Sequence, residues 1–155
     1  MKSYIDIHSH ILPGIDDGAE NFETSMQMLR IAQKQGIHSI ILTPHYKPMH
    51  HNAHPESLAA LRERLLEGMK GEGLDIGLYL GNEFYFHSGM FQKLEEKQAC
   101  TMAGSAYVLI EFGPMDSFGT IRNGLYEALS QGYRPILAHV ERYGSVSSQR
   151  GRVEE

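Results

Sequence analysis

A chain of 155 residues has room for one domain with one substantial core. Its net charge of -5 offers no general attraction to nucleic acid or to an anionic membrane, so a bound anion would need local positive charge from metals or from a few Arg and Lys residues. The lone Cys100 excludes an intrachain disulfide, no apolar run is long enough to span a membrane, and no secretory signal is visible; a reducing cytoplasm is the simplest setting.

In chain order, Tyr4 to His8 reads as a strand with a carboxylate inside it. Residues 21 to 35 read as a helix, because Phe22, Met26, Leu29 and Ala32 recur at helical spacing and Gly36 stops it. His38 to Thr43 is a buried-type strand closed by Pro44. Pro55 opens a second helix with Leu58, Leu61, Leu65 and Met69 on one face. Ile76 to Leu80 is a third strand, and a short helix covers Gly89 to Lys97. Tyr107 to Phe112 is the clearest strand. Phe118, Ile121, Leu125 and Leu129 mark a helix ending near Gly132, and Pro135 to His139 is a fifth strand. Alternating strands and helices predict an α/β fold with a parallel sheet, either doubly wound or part of a barrel. From Gly144 onward the periodicity disappears, and a flexible tail is expected over residues 144–155.

Ligand-type residues fall at the C-terminal ends of successive strands: His8 and His10, then His45, Glu83, Glu111 and His139. In parallel α/β folds that edge binds ligands. Residues two apart in an extended segment share a face, so His8 and His10 can grip one ion. Mixed imidazole and carboxylate donors suit Mn, Fe or Zn better than Mg or Ca. Asp16 and Asp17 are read either as turn and cap residues or as a ligand loop with one Asp on metal. His50, His51 and His54 are read as mostly exposed, and His38 and His87 as structural. Arg142, three residues past His139, is placed to meet an anion through its two-pronged guanidinium, and Tyr143 is read as packing. No Gly-rich phosphate loop or dinucleotide fingerprint is present. Cys100 lacks the Cys-x5-Arg loop of thiol phosphatases, so it is read as an incidental thiol.

The run from Ile5 to Ala19 closely resembles the start of the PHP-type protein-tyrosine phosphatases encoded with bacterial capsule and exopolysaccharide synthesis. Further matches are Ile41 to Tyr46, Gly81-Asn82-Glu83, Tyr107 to Phe112 and Ala138 to Tyr143. The resemblance covers residues 4 to 143. It implies a distorted β/α, TIM-like barrel with up to three metal ions, usually manganese with Fe, Zn or Mg as alternatives, at the C-terminal edge of the strands. It also implies hydrolysis of phosphotyrosine on the tail of a partner tyrosine kinase. Carried over by position, His8, His10 and Glu83 are implied as ligands of one ion. Glu83, Glu111 and His139 are implied for a second, and Asp17 and His45 for a third. Arg142 is implied as the phosphate-binding residue.

The family pattern goes on to a late Asp-x-His that does not follow His139 here, and Val140 replaces the usual proline before Glu141-Arg142. The resemblance therefore implies a phosphatase domain over residues 1–143 whose barrel is incomplete, with the first ion short of an Asp and the third short of a His. Open sheet edges would favour a homo-oligomer. Other activities left open are hydrolysis of small phosphate monoesters, as in related PHP enzymes, and metal binding with weak turnover.

Overall fold

A computed structural model describes residues 4–148 and 151–152. Among the described residues seven strands and five helices are arranged in repeating β/α order. The strands are β1 (Tyr4–Ser9), β2 (Ile37–Leu42), β3 (His45–Tyr46), β4 (Gly77–Leu80), β5 (Glu83–Tyr85), β6 (Tyr107–Glu111) and β7 (Arg134–Leu137). The helices are α1 (Phe22–Lys34), α2 (Pro55–Glu72), α3 (Met90–Glu95), α4 (Phe118–Ser130) and α5 (Gly144–Ser147).

The helix ends follow from local chemistry. The Asn21 side chain accepts from the Thr24 N–H at 3.0 Å and caps α1, and the Ser117 hydroxyl accepts from the Thr120 N–H at 3.1 Å and caps α4. Pro55 opens α2, where its missing N–H costs nothing, and Gly73 closes it at φ 68°, a left-handed conformation that glycine adopts without strain. Met26, Leu29 and Ala32 of α1 and Leu58, Leu65 and Met69 of α2 are buried together against Ile40, Leu42 and Leu78 of the sheet. A second core joins Phe84, Val108, Ile110 and Phe112 to Phe91 of α3 and Ile121 and Ala128 of α4.

All strand pairs are parallel, in two sheets ordered β1-β2-β4 and β3-β5-β6-β7. The sheets are two halves of one surface, because β3 resumes the path of β2 after Thr43-Pro44, and β5 resumes that of β4 after Gly81-Asn82. Backbone bonds cross the seam from Gly81 N–H to Leu42 C=O (2.9 Å) and from Glu83 N–H to Pro44 C=O (3.1 Å). The five strand paths therefore lie side by side in sequence order. A doubly wound sheet reverses its order partway, whereas a β/α barrel does not. Over these residues the chain has the succession of a barrel, and among the described residues β1 and β7 each pair on one side only.

The expected elements recur with ends shifted by a residue or two. Two short strands, β3 and β5, were not foreseen. The stretch from Gly144 also differs from a flexible tail: Gly144–Ser147 is a helical turn, Val146 is buried in the second core beside Tyr143, and the Arg152 guanidinium donates to the Ser145 C=O at 2.7 Å. One apolar residue, Val146, suffices to seat the turn, too sparse a signal for a periodicity argument. Residues 149, 150 and 153–155 of that stretch lie outside the described residues.

Candidate metal centre

Parallel strands in sequence order bring their C-terminal ends to one rim, and the ligand-type residues meet there. His8 is near the end of β1, and His10 follows it. His45 and Glu83 open β3 and β5 and face each other in register. Glu111 ends β6, and His139 follows β7 in a left-handed conformation (φ 54°), which is uncommon for a residue with a side chain.

Glu83 is the hub. It is fully buried, with four imidazoles around it: His139 Nε2 at 2.9 Å, His45 Nδ1 at 3.1 Å, and His8 Nε2 and His10 Nε2 at 3.2 Å each. His8 Nε2 and His10 Nε2 are 3.3 Å apart. Glu111 adds a second carboxylate, 3.4 Å from His45 and 4.0 Å from His139. Burial pushes the Glu83 carboxyl up, but the close imidazoles of His10 and His8, with His45 beside them, overcome it and hold it well below the usual carboxylate range. Glu111 is shifted up, first by burial and then by the charge on Glu83.

The loop after β1 orders the rim. The Asp16 carboxylate accepts from His10 Nδ1 at 2.7 Å and from the backbone N–H groups of Gly18 (3.0 Å) and His45 (3.1 Å). These bonds outweigh the burial that would raise its pKa, and the result is a lowered one. With Nδ1 tied to Asp16, His10 turns Nε2 towards Glu83, the orienting arrangement common behind metal-bound imidazoles. His10 is pushed up to about 10, chiefly by its bonds to Asp16 and Glu83. Asp17 points outward, with Oδ1 3.4 Å from His45 Nε2. Gly18 is required by close approach: a Cβ there would sit 2.1 Å from the His10 carbonyl oxygen.

All seven expected ligand residues are therefore brought together, in groupings partly different from those implied by position. Ligand atoms within 4.8 Å of one another form three sets: His8, Glu83 and His139; His10, Asp17 and His45; and His45, Glu83 and Glu111. The donor set fits divalent cations. Both Glu83 oxygens and His45 Nδ1 are buried without a well-formed hydrogen bond, a cost that a shared cation would remove. Imidazole with carboxylate is the chemistry of Mn, Fe and Zn sites.

A cavity of about 410 Å³ opens over His10, Asp17, His45, Glu111 and His139, and Lys47 and Arg142 line it as well. Arg142 is largely exposed, and among the described residues its ion-pair partner is Glu141, distant at 3.8 Å. Next to it, Tyr143 is buried, and its hydroxyl accepts from the Phe112 N–H at 2.9 Å, tying the Arg142 turn to the end of β6. Lys47 and Gly18 were not singled out in the sequence, and Asp16 was read with Asp17 as either a turn and cap residue or a metal ligand. Asp16 and Asp17 look alike there, and Lys47 has no motif around it. His50, His51 and His54 are exposed and join none of the three ligand sets, and His38 is exposed on β2. His87 is partly buried and shifted down by that burial. Burial raises the Cys100 thiol, which suits an inert side chain rather than a thiolate nucleophile.

The profile of a family described as capsular polysaccharide synthesis, CpsB/CapC, matches residues 4–155. The chain belongs to the CpsB/CapC family. The match runs past Tyr143, so residues 144–155 fall within it as well. Among the family's relatives, Tyrosine-protein phosphatase CpsB of Streptococcus pneumoniae is 34% identical over 151 residues, covering 97% of this chain and 62% of the relative. Tyrosine-protein phosphatase YwqE of Bacillus subtilis (strain 168) is 34% identical over 139 residues, covering 89% of this chain and 54% of the relative. A solved structure from work on YwqE of Bacillus subtilis and CpsB of Streptococcus pneumoniae, described as unique metal-dependent tyrosine phosphatases, superposes with a TM-score of 0.86 at 30% identity. It covers 96% of this chain and 60% of the other. The chain thus spans less than two thirds of the length of these relatives.

Proposed function

We propose that this CpsB/CapC-family chain carries the metal centre of a metal-dependent protein-tyrosine phosphatase and takes part in hydrolysing phosphotyrosine. The observation that carries the reading is the buried Glu83 carboxylate ringed by four imidazole nitrogens, beneath a cavity lined by Arg142. His8, His10, Asp17, His45, Glu83, Glu111 and His139 would hold the ions; the donor set suits Mn, Fe or Zn, and among these the family resemblance favours manganese. When bound, divalent cations neutralise phosphate oxygens and lower the pKa of water. Glu83 and Glu111 offset the charge gathered at the rim. Arg142 offers a planar, permanently charged donor pair to the phosphoryl oxygens as their charge grows. Residues 1–143 supply all of these groups.

The names of the relatives, joined to the family's role in capsule synthesis, support a tyrosine-phosphorylated protein as substrate, with the cognate tyrosine kinase of capsule assembly as the partner. A reducing cytoplasm, in keeping with the single unpaired Cys100, is the setting we favour for that encounter. No described helix is long and apolar enough to cross a membrane. The net charge of -5 argues against nucleic acid. Self-association of the chain is part of the proposal.

The test is release of phosphate from a phosphotyrosine peptide by chelator-treated protein, before and after adding manganese. Turnover is expected only with the metal, and His139→Ala is expected to lower it at least about a hundredfold, since even residues that only orient ligands cost 10–100-fold. Equal rates with and without manganese, and with and without His139, would sink the proposal. A small ester such as p-nitrophenyl phosphate, run in parallel, distinguishes a protein phosphatase from a small-ester phosphoesterase by kcat/KM.

A further inference from the structure

Besides its histidines, the cavity over the metal centre is lined by one lysine and one arginine, and only Arg142 has been given a role. Lys47 follows β3 directly, two residues past His45, and lines the same cavity. Among the described residues its ammonium has no ion pair within 4.0 Å and no hydrogen bond. It is half-buried, and its charge is close enough to act on the Glu111 carboxylate. A solvated surface lysine needs no support, but this one has it. The Lys47 N–H donates to Asn52 Oδ1 at 2.8 Å. Asn52 Nδ2 donates back to the Lys47 carbonyl at 2.8 Å and to the His50 carbonyl at 3.2 Å. Asn52 thus clips residues 47–52 into a closed turn with Met49 in a left-handed conformation (φ 60°). The clip fixes where the Lys47 side chain leaves the backbone.

We propose that Lys47 is a second phosphoryl-binding residue, forming with Arg142 a pair of cations on the cavity that takes the phosphate monoester dianion. Asn52 acts as its positioning residue. This rests on the phosphatase reading above. On a chain of net charge -5, with Asp17, Glu83 and Glu111 at the rim, a dianion needs cations beyond the metals, and these two are the basic side chains lining the cavity outside the histidine ligand set. Lysine supplies a compact charge where arginine supplies a fork, so the two divide attraction and orientation between them.

The experiment uses the manganese-loaded chain and the variants Lys47→Met, Lys47→Arg and Asn52→Ala. Binding of inorganic phosphate is measured by calorimetry, alongside KM and kcat for p-nitrophenyl phosphate and for a phosphotyrosine peptide, and a manganese isotherm. Loss of one charge-assisted contact predicts phosphate binding weakened about tenfold in Lys47→Met. KM is expected to rise by a similar factor for both substrates, with kcat within about threefold. Lys47→Arg is expected to restore most of the loss, Asn52→Ala to show part of it, and manganese affinity to stay unchanged. Three outcomes overturn the assignment while leaving the phosphatase reading intact: unchanged phosphate binding and KM in an active protein, a rise in KM for the peptide alone, or a manganese affinity that falls by the same factor. A wild-type chain that neither binds phosphate nor turns over either ester removes the phosphatase reading and the role of Lys47 with it.

Discussion

His10 stands between two acids, and its chemistry without metal differs from its chemistry with it. Asp16 and Glu83 push its pKa up to about 10, so the metal-free protein keeps it protonated at neutral pH. A group raised in the folded state stabilises fully below its unfolded pKa and loses that contribution as pH climbs through the folded value. The melting temperature of chelator-treated protein should therefore fall as pH rises from about 7 to about 10. The decline should be flatter in His10→Gln, and parallel profiles would count against the assignment. Metal needs the neutral imidazole, so manganese uptake should release a proton and strengthen with pH over the same window. Asp16→Asn keeps the hydrogen-bond acceptor but loses the charge, and manganese affinity is expected to drop about 10–100-fold in an isotherm. His8, His10, His45, Glu83, Glu111 and His139 were legible because strand ends announce them. The division of labour between Asp16 and Asp17 was not, since adjacent aspartates before a glycine are equivalent until side-chain direction separates them. Asp16 turns inward to His10 and the His45 N–H; Asp17 turns outward.

At the scale of elements, the centre depends on two interrupted strands. Pro44 lacks an N–H and breaks the ladder between β2 and β3, and Gly81-Asn82 breaks it between β4 and β5. At the second break a Cβ on Gly81 would meet Ile41 and Met102 at 3.0 Å. Asn82 is buried; it donates to the Pro44 carbonyl at 3.1 Å and accepts from the Cys100 N–H at 2.8 Å. It thereby holds the two breaks side by side, and His45 and Glu83, the residues that resume the ladder, come into register. Asn82→Ala leaves the Cys100 N–H without its partner. A loss of about 2 kcal/mol in chemical denaturation is expected, with weaker manganese binding because His45 and Glu83 lose their common anchor. Stability unchanged within error would refute that account. The five long strand paths were legible from runs of apolar residues. The two-residue β3 and three-residue β5 were not, because so short a segment has no period, and pairing across the seam alone defines it. The turn at Gly144 escaped for the same reason.

At the scale of the whole chain, periodicity left a choice between a doubly wound sheet and a barrel, and the strands of the described residues pair in sequence order, without the reversal of a doubly wound sheet. Sequence-order pairing is a long-range property that no local pattern encodes. It also gives the sheet two unequal faces. The helix side is sealed by the two large cores, whereas the other side has only the small cluster of Ile41, Met102, Leu109, Ile136 and Ala138. Strand alternation continues that face into Ile5, Ile7, Tyr79 and Tyr107, each between 42% and 59% exposed. Exposed apolar surface next to a β1 that, among the described residues, pairs on one side only favours association, both by burying that surface and by offering unpaired backbone groups. Sedimentation equilibrium should show the chain associating as its concentration rises. Ile7→Lys places a charge on the face and blunts the edge strand, so it should shift the population towards monomer. Its manganese isotherm should remain close to wild type, because Ile7 offers no ligand atom and its side chain is exposed. A chain that stays monomeric at all concentrations, or an Ile7→Lys variant that associates as strongly as wild type, would show that this face is not the contact.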